Sequence, residues 1–189
     1  MNNQILFIDT ETGGLDPTVF SIISFAAVFW RDGEIAESMQ VFIQETPFVS
    51  DPESMKINKV DVGWLQRNGL SVMDAVDAIQ RFIKRNSDGS GPKLQLAGHN
   101  VGFDVGFLKR LFALGGGEFE SWFSHRTIDT SAILSFLAIA QKIDVKTSSS
   151  SAAFDHFGIE FSPGERHTAL ADAVATAKLF NCLLGAVSK

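Results

Sequence analysis

Carboxylates occur at three widely separated places in this chain where hydrophobic side chains would be expected. They belong to Asp9 and Glu11, to Asp104, and to Asp172. Burying an unpaired neutral polar group costs about 2–7 kcal/mol, and an unpaired charge costs more. Four carboxylates gathered in one fold therefore need a cationic partner, which predicts a metal-dependent enzyme.

Asp9 and Glu11 directly follow the continuously apolar run Ile5–Ile8, which predicts a central strand covered on both faces. We expect this strand to end at Asp9. Residues two apart on a strand share a face, so the two carboxylates would project side by side. Gly13 and Gly14 come next and would let the backbone lie close to a ligand. Taken alone, the segment is equally compatible with a strand that ends in a polar turn.

Asp104 lies where a predicted strand gives way to a predicted helix. Helical spacing puts it on the same stripe as Phe107 and Leu111, so its carboxylate is expected to point inward. The alternative is an aspartate that only helps to cap the start of the helix.

His167 and Asp172 are five residues apart, which is about 140° around a helix. We therefore expect His167 in the loop before a helix and Asp172 on its inward stripe, although a histidine in such a loop is more often solvated or structural. All three acidic segments fall where strands end or helices begin, which is where α/β sites form. Two Mg²⁺ ions would balance the four carboxylates and could cleave a phosphodiester, with His167 as the general base.

The apolar patterns predict three strands first and then alternating strands and helices. The predicted strands are Ile5–Ile8, Ile22–Trp30, Glu34–Gln44, Lys93–Ala97 and Arg126–Asp129, and the predicted helices are Ser54–Gln66, Ser71–Arg85, Phe103–Leu114 and Thr130–Lys142. The serine-rich stretch Lys146–Ser151 is predicted as a loop or the approach to a helix. An antiparallel meander followed by crossover connections predicts an α/β fold with a mixed central sheet and helices on both faces.

Length and composition, at 189 residues with 45% hydrophobic side chains, predict one domain over residues 1–189. A net charge of −6 argues against an extensive basic surface that binds duplex nucleic acid through its phosphates. A polyanionic substrate would therefore be bound by a few local groups. The single cysteine, Cys182, excludes an intramolecular disulfide and favours the reducing cytoplasm. The apolar runs fall short of the roughly 18 to 20 residues that cross a bilayer, so we expect a soluble protein without a membrane partner.

Three stretches resemble the exonuclease motifs of the DEDDh family of 3′-to-5′ exonucleases, in the family's order. They are Phe7–Gly14, with the sequence FIDTETGG, His99–Asn100 with Phe103–Asp104, and His167–Asp172, with the sequence HTALAD. The resemblance implies a ribonuclease H-like fold. A sister subfamily has tyrosine in place of the histidine, and this chain contains no tyrosine. One departure is Ser24, in a strand position where many relatives carry glutamate.

By this resemblance, Asp9, Glu11, Asp104 and Asp172 would hold two divalent ions, Mg²⁺ or Mn²⁺. Glu11 and His167 would be catalytic, with His167 deprotonating the attacking water. Asp129 is expected to support the site without binding metal. Substrate contacts are expected from Thr10, Thr12, Gly14, Leu15, Asn58, His99, Asn100 and Phe103.

The resemblance implies hydrolysis from the 3′ end of single-stranded nucleic acid with release of nucleoside 5′-monophosphates. DNA, as in proofreading or repair, is the favoured substrate, and RNA 3′-end trimming is the alternative. Both stay open because motif spacing does not predict whether the pocket accepts a 2′-hydroxyl. A polymerase or a second copy of the chain stays open as a partner. A phosphatase of the haloacid dehalogenase type would need aspartate where Glu11 stands, and an inactive binding module would be expected to have lost site residues.

Overall fold

A mixed six-stranded sheet forms the centre of the computed structural model, which describes residues 4–58, 60–87, 93–145, 148–162, 164 and 166–187. Its strands are β1 (Gln4–Thr12), β2 (Ile22–Arg31), β3 (Glu34–Gln44), β4 (Leu70–Ser71), β5 (Leu94–Gly98) and β6 (Phe123–Asp129). They lie in the order β4-β3-β2-β1-β5-β6. Strands β1 to β3 are antiparallel neighbours, whereas β5 is parallel to β1 and β6 is parallel to β5. The predicted mixed α/β sheet is confirmed.

Strand β1 extends further than its apolar pattern predicted. It does not end at Asp9, because β2 continues to pair with it: Asp9 lies opposite Ala26, and Glu11 lies opposite Ser24. The register shifts only between Glu11 and Thr12. This correction affects the site, since side chains on a paired strand are held more precisely than side chains in a loop.

The helices are α1 (Pro52–Asn58), α2 (Val62–Asn68), α3 (Val72–Asn86), α4 (Gly102–Leu114), α5 (Phe119–Trp122), α6 (Thr130–Ile139), α7 (Ser150–His156) and α8 (Ala169–Val187). Helices α3 and α4 agree with the predicted bounds to within a residue, whereas α6 ends at Ile139 and not at Lys142 as predicted. The single helix predicted over Ser54–Gln66 is wrong, because Asp61 starts a second helix by accepting a hydrogen bond from the Trp64 N–H at 3.0 Å. The α5 helix and the two-residue strand β4 were not predicted, since a hydrophobic period cannot develop over so few residues. The α7 helix was predicted only as a helix that the serine-rich stretch approaches, without its bounds.

Part of the serine-rich stretch becomes a helix start. Ser149 caps α7 with its side chain, which accepts a hydrogen bond from the Ala152 N–H at 3.3 Å. Lys146 and Thr147 lie outside the described residues. The prediction of a helix approach is therefore borne out for the serines next to α7.

Alternate side chains of β1 contribute to two separate cores on the two faces of the sheet. Its even-numbered residues, beginning with Leu6, pack with α3 and α4, whereas the odd-numbered ones, beginning with Ile5, pack with α8. Because side chains alternate along a strand, Thr10 faces α4 while Asp9 and Glu11 face α8.

Helix α8 is long and apolar enough, by length and composition alone, to cross a membrane. Eight of its side chains are nevertheless buried within the protein. Ala173 and Ala177 lie against the sheet, and Leu179 and Leu183 pack with α6 and α7. It is therefore a core helix, and its small residues let it lie close enough to the sheet to bring Asp172, in its first turn, to the sheet edge.

Candidate active site

Three carboxylates from distant parts of the chain meet at one edge of the sheet. The ligand oxygens of Asp9, Glu11 and Asp172 all lie within 4.8 Å of one another. Asp9 and Glu11 come from the side of β1 that faces α8, and Asp172 comes from the first turn of α8. All three residues are half-buried. The fold thus brings the first and third predicted segments into one cluster, which we call the acidic cluster.

Burial raises the pKa of every carboxyl group in the acidic cluster, and repulsion from neighbouring carboxylates adds to the rise for Asp9 and Glu11. The pKa of Asp9 lies well above its usual value, first because of burial and then because of the charges of Asp104, Asp172 and Glu11. Burial, followed by the charges of Asp172 and Asp104, raises the pKa of Glu11 to about 8. Burial is also the main cause of the raised pKa of Asp172. A cation beside such groups favours their charged forms.

The acidic cluster fits a divalent cation. Carboxylate oxygens are the ligands that Mg²⁺ and Mn²⁺ prefer, and all three members of the cluster offer one. A dication beside Asp9 and Glu11 would lower their pKa values, which burial and the neighbouring carboxylates raise.

Asp104 reaches the site from the other face of the sheet, because α4 and α8 pack on opposite faces. It is 5% exposed, and its Oδ1 accepts a hydrogen bond from Thr10 Oγ1 at 2.7 Å. Burial raises the pKa of Asp104 to about 7, and the hydrogen bonds from Thr10 partly oppose that rise. Among the described residues, Asp104 is therefore a close neighbour of the acidic cluster rather than one of the three that share it.

His167 lies in the turn directly before α8, in agreement with the helical spacing. Its φ of 66° is in the left-handed region, and the residue is exposed. Burial raises the pKa of Asp172, and Arg166 and then His167, which also donates a backbone hydrogen bond to it, oppose that rise. A solvent-exposed imidazole beside carboxylates suits a group that exchanges protons with water. Its part as general base stays a prediction.

Asp129 holds the loop that carries Asn100. Its Oδ1 accepts hydrogen bonds from the Asn100 N–H at 2.9 Å and from the Ser131 N–H at 2.9 Å, and the second bond caps α6. Asn100 has a φ of 60°, a conformation that needs compensating contacts in a residue with a side chain. Asp129 also raises the pKa of Asp104 through its charge. It supports the site from outside the acidic cluster.

His99 and Phe103 lie on either side of Asn100 in the sequence and have internal partners. The Nδ1 atom of His99 is 3.0 Å from Thr130 Oγ1, and burial lowers the pKa of His99. The Phe103 ring is half-buried, with its centroid 5.1 Å from that of Phe107. Each side chain therefore has only part of its surface left for a substrate.

The end of β1 and the turn after it contain three of the predicted substrate contacts, Thr12, Gly14 and Leu15, and α1 supplies a fourth, Asn58. Thr12 Oγ1 donates to the Gly14 carbonyl at 2.7 Å, and Asn58 Nδ2 donates to the Thr12 carbonyl at 2.6 Å. A Cβ at Gly14 would fall 2.3 Å from the Phe20 ring, so an internal neighbour also requires glycine there. The substrate contact of Gly14 stays a prediction. Leu15 is 81% exposed, and Val19, later in the same connection to β2, is 49% exposed.

One contact at the site was not predicted. Arg166, directly before His167, forms an ion pair with Asp172, with Nη1 2.5 Å from Oδ1. No periodicity places the two residues on a common face, because a turn and a helix start lie between them. A basic residue next to the third motif was the signal available in the sequence.

The fold and the acidic cluster together define a class of protein: nucleases of the ribonuclease H-like fold whose carboxylates bind metal. The sequence model of the exonuclease family (RNase_T) matches residues 6–180, and the chain belongs to this family. The resemblance to DEDDh 3′-to-5′ exonucleases is thereby confirmed, as is the prediction of a phosphodiester hydrolase.

Similar proteins include ribonuclease T from two bacteria. The Haemophilus influenzae Rd protein is 26% identical over 182 residues, which is 93% of this chain and 76% of the relative. The Yersinia enterocolitica protein is 27% identical over 180 residues, which is 92% of this chain and 80% of the relative.

Among solved structures, Escherichia coli exonuclease I in complex with a dT13 oligonucleotide has a TM-score of 0.82 at 18% identity. The zinc-bound form of its complex with single-stranded DNA has a TM-score of 0.81 at 18% identity. The first match covers 96% of this chain and 41% of that chain, so this chain spans about two fifths of exonuclease I. At this identity the likeness supports the fold alone.

Proposed function

We propose that this protein is a 3′-to-5′ exonuclease that removes nucleotides one at a time from single-stranded nucleic acid and releases nucleoside 5′-monophosphates. The observation that carries the proposal is the meeting of Asp9, Glu11 and Asp172 at one sheet edge, in a chain that matches the exonuclease family from residue 6 to residue 180. We further propose that residues 1–189 act as one exonuclease domain in the cytoplasm.

Asp9, Glu11 and Asp172, with Asp104 beside them, are the residues that would hold two divalent ions, Mg²⁺ or Mn²⁺. Ions at such a site stabilise the negative charge that develops on a phosphodiester as it is cleaved. Thr10 holds Asp104 through a hydrogen bond of 2.7 Å, and β1 holds Asp9 and Glu11 on one face, so the ligands are in place before an ion binds. Preorganised ligands of this kind favour catalysis because little rearrangement is needed during the reaction.

His167 is proposed to take a proton from the attacking water. Its exposed ring lies at the start of α8, and its backbone is tied to Asp172 by a hydrogen bond. Glu11, a member of the same acidic cluster, would assist in placing that water.

The terminal nucleotide is proposed to lie between the turn after β1 and the loop that carries Asn100. Leu15 would pack on the terminal base, and the exposed part of Phe103 would contact the next, which is a sequence-tolerant way to bind single strands. His99 and Asn100 would contact the sugar and phosphate. Thr12 and Asn58 already hydrogen bond within the protein, so they would act by holding the turn that presents Leu15.

RNA 3′ ends are the first substrate to test, and DNA ends are the second. Relatives at 26–27% identity over nearly the whole chain are ribonuclease T proteins, which supports RNA trimming over the DNA preference expected from the motifs. The DNA candidate is kept because the exonuclease I structures of similar fold hold dT13 or dA16 oligonucleotides. A polymerase or a second copy of this chain as partner stays a prediction.

The test is digestion of matched 5′-labelled single-stranded RNA and DNA in the presence of Mg²⁺, with EDTA and Asp9→Ala as controls. A ladder that shortens from the 3′ end, and that both controls abolish, is the expected result, with RNA degraded faster. A preference for DNA would favour the second candidate. Folded protein that cleaves neither substrate with Mg²⁺ present would instead favour a binding module.

A further inference from the structure

The Arg166 side chain lies at the edge of the acidic cluster and makes several contacts there. Its Nη1 donates to Asp172 Oδ1 at 2.5 Å, while its Nη2 donates to Ser151 Oγ at 2.8 Å and to Ser150 Oγ at 3.2 Å. The planar guanidinium can serve a carboxylate and hydroxyl groups at the same time because its donors point in fixed directions. Arg166 thus links the first turn of α7 to the first turn of α8.

Two aromatic rings complete the seat of Arg166. Its guanidinium carbon lies 4.9 Å from the ring centroid of Phe154 and 4.9 Å from that of Phe161. The two rings also pack on each other, with centroids 5.4 Å apart. Cations are attracted to aromatic faces. Since these contacts do not involve Asp172, the guanidinium would keep a binding place if its bond to Asp172 were broken.

A divalent ion and Arg166 would use the same carboxylate. Asp172 shares the acidic cluster with Asp9 and Glu11, and its Oδ1 already accepts a charge-assisted hydrogen bond from Arg166. Two cations next to one carboxylate repel each other. A unit positive charge about 6 Å from a dication weakens binding roughly tenfold, even at the dielectric constant of water.

We infer that Arg166 is an internal counter-ion of the acidic cluster that competes with the divalent ion for Asp172. In the metal-free protein it balances part of the cluster's negative charge, and on metal entry it gives up Asp172 and stays on Ser150, Ser151 and the two rings. Arg166 is thus a positioning residue that sets the concentration of divalent ion at which the site fills. The inference rests on the proposed function, because it requires the acidic cluster to bind metal.

The experiment is direct titration with Mn²⁺, followed by the paramagnetic signal of the free ion, so that no activity is needed. Wild type is compared with Arg166→Gln, Arg166→Lys and Arg81→Gln. Arg81 is an exposed arginine on α3, which packs on the face of the sheet opposite α8, so its variant controls for the loss of one positive charge. Metal-free melting temperatures in EDTA, and their rise with Mg²⁺, provide a second readout.

Arg166→Gln is expected to bind Mn²⁺ about tenfold more tightly than wild type. In EDTA, this variant should also melt at a lower temperature than wild type. Its melting temperature should rise more than that of wild type when Mg²⁺ is added. The Mn²⁺ affinity of Arg166→Lys should lie between those of wild type and Arg166→Gln, since a single ammonium cannot donate to Asp172 and both serines at once. Arg81→Gln should bind like wild type.

Equal or weaker Mn²⁺ binding by Arg166→Gln would overturn the inference, because removal of a competitor must strengthen binding. If that variant does not fold, Arg166→Lys decides by the same criterion. A wild type that binds no Mn²⁺ and no Mg²⁺ would overturn the proposed function itself, which is a distinguishable result.

Discussion

At the scale of single residues, Asp9 is a half-buried carboxyl group surrounded by other carboxylates. It lies on a central strand, and the charges of Glu11, Asp104 and Asp172 all raise its pKa. Only Arg166 acts in the opposite direction among the charges that shift its pKa. A nearby cation would lower the pKa of such a group and favour its carboxylate form.

Asp9→Ala should therefore reduce activity more than His167→Ala. Loss of Asp9 removes a member of the acidic cluster and with it the charge stabilisation that the ions provide, whereas a positioned base contributes roughly 10²- to 10⁴-fold. The measurement is the initial rate of 3′ shortening of labelled RNA at saturating Mg²⁺, with circular dichroism to check folding. Equal losses in the two variants would contradict this ranking.

The metal-free protein should lose stability as the pH rises. The pKa of Glu11 is raised from 4.5 to about 8 and that of Asp104 from 3.8 to about 7, so the folded state binds these protons more tightly than the unfolded state. The resulting stabilisation is fully present below the unfolded pKa and disappears as the pH passes the folded value. Urea unfolding in EDTA should show a falling free energy of unfolding from about pH 5 to about pH 8.

Mg²⁺ should change this pH dependence. Because the ion competes with protons for the same carboxylates, its stabilising effect should grow with pH. Glu11→Gln should flatten the slope in EDTA, since it removes one titrating group. A free energy of unfolding that rises over this pH range in EDTA would show that the acidic cluster does not control it.

At the scale of elements, the start of α6 connects stability to the site. Asp129 caps α6 and, with the same oxygen, accepts the Asn100 N–H. Thr130, the first residue of α6, donates to the Gly98 carbonyl at 3.1 Å and so binds the helix to the end of β5. The loop between β5 and α4 is therefore positioned by a different helix from the one it leads into.

Asp129→Ala should lose about 1 kcal/mol of stability, as other N-cap replacements do, and should also lose activity. Asp61→Ala is the matched control, because Asp61 caps α2 without holding a loop of the site. Urea unfolding should give similar losses for the two variants. Steady-state rates on a short RNA should fall only for Asp129→Ala, and a parallel fall in both would mean that the Asn100 loop does not depend on Asp129.

At the scale of the whole molecule, α8 contributes both to the hydrophobic core and to the acidic cluster. The same helix buries alanines against the sheet, packs leucines against α6 and α7, and carries Asp172. The distance from Asp172 to β1 is thus set by how closely α8 can approach the sheet. Small side chains at that interface matter for the site as well as for stability.

Ala173→Leu should weaken metal binding, because the larger side chain forces α8 away from the sheet and moves the adjacent Asp172. Overpacking of this kind costs about 1–3 kcal/mol. Leu183→Ala is the comparison: it leaves a cavity at the far end of α8 and costs about 2–5 kcal/mol without moving Asp172. Mn²⁺ titration well below both melting temperatures should show a loss only for Ala173→Leu, and equal affinities would indicate that α8 does not set the geometry of the site.

The limits of sequence-based prediction follow from the length of each element. Long periodic segments such as β3 and α3 were predicted to within a residue or two. Buried side chains recur at helical spacing along α3, and less exposed residues alternate with more exposed ones along much of β3. The short helices α5 and α7 lack that repetition. The end of β1 was missed for another reason: Asp9 and Glu11 look like a turn, and only pairing with β2 keeps them extended.

By itself, the amino-acid sequence determined which side chains could bind metal and which family the chain resembles, because these depend on residue type and order. It also determined the alternation that sends Asp9 and Glu11 to one face of β1. The tertiary structure decided which carboxylates share a cluster, since Asp104 comes from the opposite face and is held by Thr10. It also decided the ion pairs of Arg166 with Asp172 and of Arg110 with Glu45. These contacts join segments through packing in three dimensions, and no local spacing encodes such distances.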